Sequence, residues 1–371
     1  MTSLVVSAAV LSRARDVADD FRALTGVDVD ADEIIAGRAG LLGHSPHGRI
    51  SAGGATRLMR SRDGWCALTL SRPDDIDAVP ALIEAEAIGD DPWPAVETWT
   101  AERSSADVTE RARLLGLPVA ALGETPAAPP RVVRCGASTT ERGLTGLLVA
   151  DLSAMWAGPL CGQLLARAGA TVVKVESRSR PDGTRAGPPA FFDWMNTGKL
   201  SYAVDFNSPG PLNALLAAAD VVIESSRPAA LIRRGLGPAS IAPRDGRVWL
   251  RITGHGTEGQ RADWVAFGDD AAVSGGLVRG SDDDPTFCGD AIADPLTGLE
   301  AAVEVARSLR RGGGELIEMS MAAVAATYAA LPRRDETNCT ATPSLSEAAS
   351  ALGADNDIVE QLIAEKRVAS C

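Results

Sequence analysis

The feature that most constrains the fold is a series of short apolar segments that alternate with stretches of helical pattern. Six segments have the length of buried strands: 147–152, 171–176, 201–206, 220–225, 247–252 and 315–320. Helical patterns lie between them, at 159–168, 209–218, 228–234 and 295–309. Because a helical crossover must cover one face of a parallel sheet, this order predicts an α/β fold with a doubly wound parallel sheet. Ligands of such sheets bind at the carboxyl ends of the strands.

The chain also shows signs of a division into domains. Its 371 residues exceed the size of about 250–300 residues at which a single hydrophobic core stops growing. The segment 123–143 is rich in Pro, Ala, Ser and Thr and has no apolar period, as expected of a linker. The predicted division is a small α+β domain at 1–122, the linker at 123–143, the large domain at 144–335 and a tail with a last helix at 336–371.

Composition excludes several classes of partner. A formal net charge of −13 repels phosphate backbones and anionic lipid, so neither nucleic acid nor a membrane surface is expected as a partner. No uninterrupted apolar run reaches the roughly 18 residues of a membrane span. The six cysteines lie far apart without metal-ligand spacing, and the N-terminus lacks the basic start of a secretory signal. A cytoplasmic protein with free thiols and no metal centre is predicted.

Two glycine-rich segments are candidates for a phosphate-binding loop. Gly254–Gly259 has the spacing G-x-G-x-x-G after a predicted strand, but the residues that follow show no helical period. A dinucleotide site requires a helix that opens at the third glycine, so a loop over the site is favoured over nicotinamide or flavin binding. His255 has no neighbouring His or Cys and is interpreted as a loop residue rather than a metal ligand. The cluster at 310–314 is interpreted as a helix end and turn.

Basic residues are concentrated near predicted strand ends in a chain that is otherwise acidic. Such a group would suit a ligand with several phosphates, although solvated surface charge explains about half of its members. The residues are Lys174, Arg178, Arg180, Arg185, Lys199, Arg227, Arg233 and Arg234.

One carboxylate is notable for its position. Asp294 directly precedes Pro295, at the start of the helical pattern that runs to Leu309. Proline favours the first helical position, so Asp294 is predicted to be the N-cap of this helix. In the field of the helix dipole the carboxylate is expected to stay ionised, which a carboxylate nucleophile also requires. The local pattern does not separate the two roles.

Four segments, in this order along about residues 144–330, resemble the family III CoA-transferases, the group that contains formyl-CoA and carnitine CoA-transferases and α-methylacyl-CoA racemase. They are LLVADLSAMWAGPLCGQLLARAGATVVKVES, NTGK with the following SYAVDF, ADVVIESSRPAALIRRGLG and GDAIADPLTGLEAAVEVARSLRRGGGELIEMSM. The resemblance implies a Rossmann-like CoA-binding domain, an interlocked homodimer, and transfer of CoA from an acyl-CoA donor to a carboxylic acid acceptor. It implies that Asp294 attacks the thioester to give a mixed anhydride and then carries CoA as an aspartyl thioester.

Coenzyme A would be a substrate, and the resemblance implies no permanently bound cofactor and no metal. By position in the matching motifs, CoA is expected to contact Ala154, Met155, Trp156, Ala157, Val204, Asp205, Phe206, Asn207, Ser225, Ala230 and Arg233. For Trp156, a place in the core remains as open as stacking on the adenine or lining the acyl path.

Three departures from the family pattern keep alternatives open. Residues 1–122 resemble the small domain that members carry after the large one, so the chain is interpreted as circularly rearranged. Racemases of the group have a His-Asp pair where this chain has Gly268-Asp269, which disfavours a racemase or isomerase that needs two bases. Gly53-Gly54 is a rough equivalent of the family's glycine loop near the aspartate. A non-catalytic acyl-CoA-binding subunit is the other alternative.

Overall fold

The computed structural model describes residues 3–45, 47–333, 335–345 and 347–368. The helices are α1 (Ala8–Thr25), α2 (Ala31–Leu42), α3 (Pro73–Asp77), α4 (Val79–Ile83), α5 (Trp93–Ala101), α6 (Ser105–Leu114), α7 (Ala157–Arg167), α8 (Pro189–Asn196), α9 (Gly210–Ala218), α10 (Pro228–Ile232), α11 (Gly268–Ser274), α12 (Ala293–Arg310), α13 (Met321–Ala329) and α14 (Asn356–Val368). The strands are β1 (Leu4–Ser7), β2 (Thr56–Arg60), β3 (Trp65–Thr69), β4 (Val119–Ala121), β5 (Arg131–Arg134), β6 (Leu148–Asp151), β7 (Thr171–Ser177), β8 (Leu200–Val204), β9 (Val221–Glu224), β10 (Val248–Thr253), β11 (Val278–Gly280), β12 (Pro285–Phe287), β13 (Glu315–Ser320) and β14 (Glu336–Cys339).

The centre of the molecule is a seven-stranded sheet in the order β5-β13-β10-β9-β6-β7-β8. Every neighbouring pair is parallel except β5, which runs antiparallel to β13. All six predicted strand segments lie in this sheet, and the predicted α/β class is confirmed. The chain runs from β6 outward to β8 and then returns to β9 on the other side of β6. The loops after β6 and β9 therefore diverge, which creates a crevice at the carboxyl ends of the strands.

Helices cover both faces of this sheet. On one face, α7 and α12 pack on the strands, and Leu160 and Leu299 lie in the core there. Helices α1 and α2 join the same core from outside, through Phe21 and Ile35. On the other face, α9 and α14 supply a second core. Two helices from the first 42 residues thus bury the outer side of α12, although the sequence divides this part of the chain from the large domain.

A smaller antiparallel sheet, in the order β2-β3-β4, lies in the part of the chain before the predicted linker. Helices α5 and α6 cover it with an apolar core that includes Leu68, Trp99 and Val108. Its other face meets α11 and β12, where Trp65 packs with Phe287. Residues 65–70 have the apolar pattern of a strand, and β3 confirms this prediction. The domain boundaries remain predictions.

Two local expectations differ from the structure. The predicted linker contains β5, whose Arg131 and Arg134 contact Glu318 and Glu315 of the neighbouring strand β13. With two apolar residues between two arginines, β5 has no hydrophobic period that would reveal it. Residues 76–87 show a helical apolar pattern that predicts one helix, but the structure has two short helices there, α3 and α4, because a proline in the first turn of α4 starts a new helix.

The glycine cluster after α12 has a structural explanation. Helix α12 ends at Arg310, and Gly312, Gly313 and Gly314 follow with φ of +89°, +64° and +71°. A Cβ atom on any of the three would lie within 2.6 Å of a backbone carbonyl oxygen of a facing segment. The interpretation of this cluster as a helix end and turn is confirmed.

The outer edge of β8 is covered by the residues that lead into α14. Backbone N–H groups of Ser201 and Ala203 donate to the side chains of Asp355 and Asn356, at 2.8 and 2.9 Å. The Asn356 amide in turn donates to the Ala203 carbonyl at 3.0 Å. Side chains thus replace a neighbouring strand along this edge.

No helix within the described ranges is long and apolar enough to cross a membrane. Five cysteines are free thiols, namely Cys66, Cys135, Cys161, Cys288 and Cys339, and all but Cys135 are buried. Cys371 and the end of the predicted tail lie outside the described residues.

Candidate active site

Asp294 lies at the second position of α12, which begins at Ala293, and it does not cap this helix. The predicted N-cap role is wrong, because the preceding turn enters the helix earlier than Pro295 suggests. The Asp294 carboxylate instead accepts a hydrogen bond from the backbone N–H of Ala157, the first residue of α7, at 3.3 Å. A second backbone amide, that of Gly268, lies near it and lowers its pKa. As a residue, Asp294 is partly exposed.

Two helix N-termini meet at this carboxylate. Helix α7 directly follows β6, and α12 directly precedes β13, so both helices run antiparallel to these strands and begin at the carboxyl edge of the sheet. The partial positive charge of an α-helix lies at its N-terminus, where it favours a negative group. The site is therefore arranged around negative charge on Asp294.

Three further charged side chains surround Asp294 and form, together with it, a group that we call the carboxylate cluster: Arg38, Asp269, Asp290 and Asp294. Arg38 binds Asp290 through two hydrogen bonds, from Nε at 2.9 Å and from Nη2 at 2.6 Å. Asp269 accepts from the backbone N–H of Ala291 at 3.0 Å. Three carboxyl groups and one guanidinium thus share a largely buried space.

Burial has the largest effect on the acidity of Asp294 and raises its pKa to about 7. The positive charge of Arg38 and the amides of Ala157 and Gly268 oppose this rise, whereas Asp269 adds to it. Desolvation thus works against the ionisation of Asp294 that the sequence predicts. Burial also raises the pKa of Asp269 to about 6. Burial acts likewise on Asp290, but Arg38 and His44 outweigh it and lower the pKa of that carboxyl.

Gly268 approaches Asp294 too closely to carry a side chain. A Cβ atom at this position would lie 2.4 Å from Asp294 Oδ2 and 2.2 Å from the carbonyl oxygen of Ala291. The position where racemases of the resembling family carry a histidine is thus in direct contact with the candidate nucleophile. His255 lies elsewhere, buried against Trp264, with 5.3 Å between the ring centroids.

The loop between β6 and α7 holds four of the expected CoA contacts, Ala154 to Ala157. The backbone N–H of Ala154 donates to Oγ of Ser225 at 3.2 Å, so this loop meets the segment after β9 across the crevice. Ala154 is exposed, whereas Trp156 is 1% exposed. Trp156 thus occupies the core, one of the two alternatives left open by the sequence, with its ring edge-on to Phe191 at 5.4 Å.

The other expected contacts are more widely spread. The segment Val204–Asn207 begins at the last residue of β8, and β7 separates it from the loop after β6. Its Asp205 forms a local turn by accepting from the backbone N–H of Asn207 at 2.8 Å. Ala230 and Arg233 lie in and just after α10, and Arg233 is exposed. All of these residues lie at or beyond the carboxyl ends of strands, but the structure brings only the loops after β6 and β9 into contact.

The basic residues divide into structural and exposed ones. Lys174 binds Asp182 at 2.7 Å and Lys199 binds Asp151 at 2.9 Å, both in buried pairs. Arg185 binds Glu176. The remaining members are exposed: Arg178, Arg180, Arg227, Arg233 and Arg234. Of the eight basic residues near the predicted strand ends, these five arginines are the exposed ones.

The buried Lys174–Asp182 pair also fixes the loop after β6. Asp182 accepts from the backbone N–H of Met155 at 3.2 Å, and Lys174 Nζ donates to the carbonyl of Ser153. Met155 has φ of +72°, in the left-handed region that a non-glycine residue rarely adopts. The pair therefore supports an unfavourable backbone conformation directly before α7.

The G-x-G-x-x-G segment is a loop after β10, and a short 3-10 turn at Gly259–Asp263 follows it in place of a long helix. This geometry fits the interpretation as a loop and not a dinucleotide site. Within the described part of the chain, no three His, Cys, Asp or Glu side chains are grouped as metal ligands.

Sequence reasoning missed most of the carboxylate cluster. Asp290 lies in the same family motif as Asp294, and Asp269 follows Gly268, which the sequence comparison with racemases singled out. The sequence therefore drew attention to both positions but indicated no role for either carboxyl group. Arg38 had no such signal, since it precedes Asp290 by 252 residues and lies in no recognised motif. His44 also escaped notice, although its Nδ1 lies 3.6 Å from Asp290. Gly53, the rough equivalent of the family's glycine loop, does lie here, against Arg38 and His44.

The profile of "CoA-transferase family III" matches residues 144–345, more than half of the chain. The chain belongs to CoA-transferase family III. The match covers the central sheet from β6 to β13 and includes Asp294, Asp290 and Asp269. Arg38, His44 and Gly53 lie outside it.

Several curated proteins resemble about half of this family III chain. A succinate–glutarate CoA-transferase of Agrobacterium fabrum is 33% identical over 204 residues, which are 48% of this chain and 50% of that one. A succinyl-CoA–D-citramalate CoA-transferase of Chloroflexus aurantiacus is 30% identical over 198 residues, 48% of this chain and 49% of its own. The chain thus spans about half the length of the curated relatives it matches.

Solved structures give a similar coverage. A CAIB/BAIF family protein from Brucella suis has a TM-score of 0.46 and 30% identity, over 52% of this chain and 56% of that chain. A hypothetical protein from Mycobacterium tuberculosis has a TM-score of 0.46 and 27% identity, over 51% of this chain and 57% of that chain.

Proposed function

We propose that this family III chain transfers CoA from an acyl-CoA donor to a carboxylic acid acceptor, with Asp294 as the nucleophile that carries CoA covalently. The observation that carries the proposal is the place of the Asp294 carboxylate. The residue is partly exposed, its carboxylate lies between the N-termini of α7 and α12, and it does not cap its own helix. A carboxylate held only as a cap would be engaged by the amides of its own helix.

The proposed reaction has four steps. The ionised Asp294 attacks the thioester carbonyl, and the C–S bond breaks to give an acyl-aspartyl anhydride and CoA thiolate. The thiolate attacks the aspartyl carbonyl, which releases the donor acid and leaves CoA on Asp294 as a thioester. The acceptor carboxylate attacks this thioester and forms a second anhydride with release of thiolate. The thiolate then attacks the acceptor acyl carbon, which yields the new acyl-CoA and restores the carboxylate.

Both tetrahedral intermediates at the aspartyl carbon place negative charge on an oxygen of Asp294. The amide of Ala157 already donates to this carboxylate and the amide of Gly268 lies near it, and both would stabilise that charge without reorganisation. The two helix N-termini act in the same direction.

Coenzyme A is proposed to lie across the crevice between the loops after β6 and β9. Ala154 and Ser225 meet there, and their contact supports this placement. The exposed Arg233 is available for a phosphate of the nucleotide. Val204–Asn207 and Ala230 stay in the proposal on the resemblance alone, and Trp156 supports the site from the core. The interlocked homodimer and the cytoplasmic location remain predictions.

Named relatives suggest which acids to test first. Their names include succinate, glutarate and D-citramalate, so dicarboxylic acids of four or five backbone carbons are the proposed acceptor class. The proposed assay incubates succinyl-CoA with labelled glutarate and follows the appearance of labelled glutaryl-CoA.

The decisive variant is Asp294→Asn, because it keeps the shape of the side chain and removes the nucleophile. We expect turnover to fall by about 10⁴-fold or more, the range seen when a covalent nucleophile is removed. Incubation of the wild type with acyl-CoA and then hydroxylamine should modify Asp294, as read by peptide mass spectrometry. Asp283→Asn, at an exposed carboxylate, is the matched control and should react normally. Full turnover in Asp294→Asn would refute the covalent mechanism.

The same samples separate the alternatives. Solvent deuterium at the α-carbon of an acyl-CoA without any acceptor would identify a racemase, which Gly268 disfavours because it places no imidazole beside Asp294. Tight CoA binding without exchange between acids would identify a binding subunit.

A further inference from the structure

The carboxylate cluster is completed by a side chain from outside the family-matched segment. Arg38 lies on α2, in the first 122 residues, whereas the match begins at residue 144. Its side chain is 17% exposed and its partner Asp290 is fully buried. Asp30 caps the N-terminus of α2 by accepting from two backbone amides, which fixes the helix that carries Arg38.

Arg38 holds the turn that precedes Asp294 through its two hydrogen bonds to Asp290. This turn contains Asp290 and then Ala291, which has φ of +43° although it is not glycine. The carbonyl of Ala291 accepts from the backbone N–H of Asp294 at 2.9 Å, and its own N–H donates to Asp269. The unfavourable conformation of Ala291 thus sets the direction of the nucleophile, and it persists only while its neighbours hold it.

Arg38 also contacts the second helix that reaches Asp294. Its guanidinium carbon lies 5.0 Å from the ring centroid of Trp156 and 5.7 Å from that of Phe191. Trp156 directly precedes Ala157, whose amide donates to Asp294. One guanidinium therefore joins the turn before α12 to the start of α7.

We propose that Arg38 is a positioning residue for Asp294: it clamps Asp290 so that the Ala291 turn presents the nucleophile to the amide of Ala157, with a positive charge beside the carboxylate. This proposal rests on the function proposed above for Asp294. It assigns part of the active site to the N-terminal region of this chain.

The groups that bear on the ionisation of Asp294 are few. Arg38 on α2 is the cation, Asp269 on α11 is an opposing carboxyl, and Asp290 in the preceding turn is paired with Arg38 and approached by His44. Helix α7 contributes only a backbone amide. Removing the positive charge of Arg38 should therefore favour the protonated form of Asp294.

Four variants test the proposal. Arg38→Met with Asp290→Asn removes both members of the pair, so that no buried charge is left alone. Arg38→Lys keeps the charge and loses the two-point clamp. Arg38→Met alone measures the loss of stability and turnover when Asp290 stays buried without its cation. The matched control is Arg15→Met, which breaks the bond between Arg15 and Asp32 at the other end of α2, at 2.8 Å.

For the double variant we expect turnover to fall about 10- to 100-fold, the effect of a small displacement of a reacting group. The KM for acyl-CoA should stay unchanged. The acid limb, which is the part of the pH–rate profile where the rate falls towards low pH, should move to higher pH. Arg38→Lys should restore the acid limb but not the full rate, and Arg15→Met should behave as the wild type. A folded double variant with wild-type turnover and acid limb would overturn the proposal.

Direct titration separates this proposal from the function on which it rests. A protonated carboxyl group has its own infrared band, and the band that is missing in Asp294→Asn belongs to Asp294. The intensity of this band can be followed against pH without any turnover. In the double variant its midpoint should rise, and an unchanged midpoint would overturn the role of Arg38. Absence of CoA exchange in the wild type, together with a shifted midpoint, would instead refute the transferase and leave Arg38 as a positioning residue.

Discussion

Asp294 combines a position that suits a nucleophile with an environment that favours its protonated form. Burial raises the pKa, whereas Arg38 and two amides lower it, and the balance lies at about 7. Near neutral pH, roughly half of the molecules then hold the reactive carboxylate. Modest changes in the charges around Asp294 therefore change the reactive fraction directly.

The pH dependence of turnover follows from this balance. Because the ionised form is the proposed nucleophile, the rate should rise with pH through about 7 and fall about tenfold per pH unit well below it. Initial rates of CoA exchange between pH 5 and 9 measure this limb. A rate that is flat from pH 5 to 8 would contradict the assignment.

The same group affects stability in the opposite direction. Between about pH 4 and 7 the folded chain keeps the Asp294 proton that the unfolded chain has lost, so stability decreases as pH rises through this window. Asp294→Asn has no such proton to lose, so its free energy of unfolding should not decrease in this way. Urea unfolding of this variant and of the wild type at pH 5 and pH 8 measures the contribution of Asp294.

Gly268 offers a steric test of the site. Gly268→Ala would bring a methyl group to 2.4 Å from Asp294 Oδ2, so the carboxylate or its turn must move. We expect turnover to fall by about 10-fold or more, with a loss of stability of about 1–3 kcal/mol from overpacking. Gly210→Ala, where a Cβ meets nothing within 4 Å, is the control for both measurements. Wild-type turnover in Gly268→Ala would show that the reaction does not need this contact.

At the scale of elements, the loop between β6 and α7 depends on a buried ion pair. Lys174→Met would leave Asp182 buried without its cation and should reduce the free energy of unfolding by about 3–5 kcal/mol. Lys174→Met with Asp182→Leu should recover most of this stability. CoA affinity should stay about tenfold weaker in the double variant, because the Met155 amide has lost its acceptor. Urea unfolding and calorimetric titration with CoA measure the two effects, and wild-type affinity in the double variant would refute the role of the pair.

Sequence patterns were sufficient for the large elements and insufficient for the contacts between them. The strands from β6 to β13 can be recognised in the sequence, because strands buried on both faces appear as apolar runs rich in Val, Ile and Leu. Strand β5 has no such signal, since its pairing with β13 is set by charges on a distant segment. Asp294 was found by motif, but its bond to Ala157 depends on how α7 packs beside α12. The approach of Arg38 depends on the tertiary fold alone, which no local pattern encodes.

At the scale of the whole molecule, the N-terminal region is part of the large core. Phe21 and Ile35 are fully buried against it, and each such side chain contributes about 1.5–3 kcal/mol. Since net stability of a domain is only about 5–15 kcal/mol, a chain that starts at residue 123 should not fold by itself. Circular dichroism and thermal unfolding of that fragment test this, and adding residues 1–122 as a separate polypeptide should restore the transition. A cooperative transition at the wild-type temperature for the fragment alone would contradict it.

The cover over the outer edge of β8 affects how the protein behaves at high concentration. Asp355 and Asn356 occupy hydrogen-bonding positions that an incoming strand would need, so a second molecule cannot extend the sheet from this side by adding its own backbone. Loss of the segment after residue 350 by proteolysis would free those positions on a strand of mostly apolar residues. The last helix therefore protects the protein against fibre-like self-association as well as completing its fold.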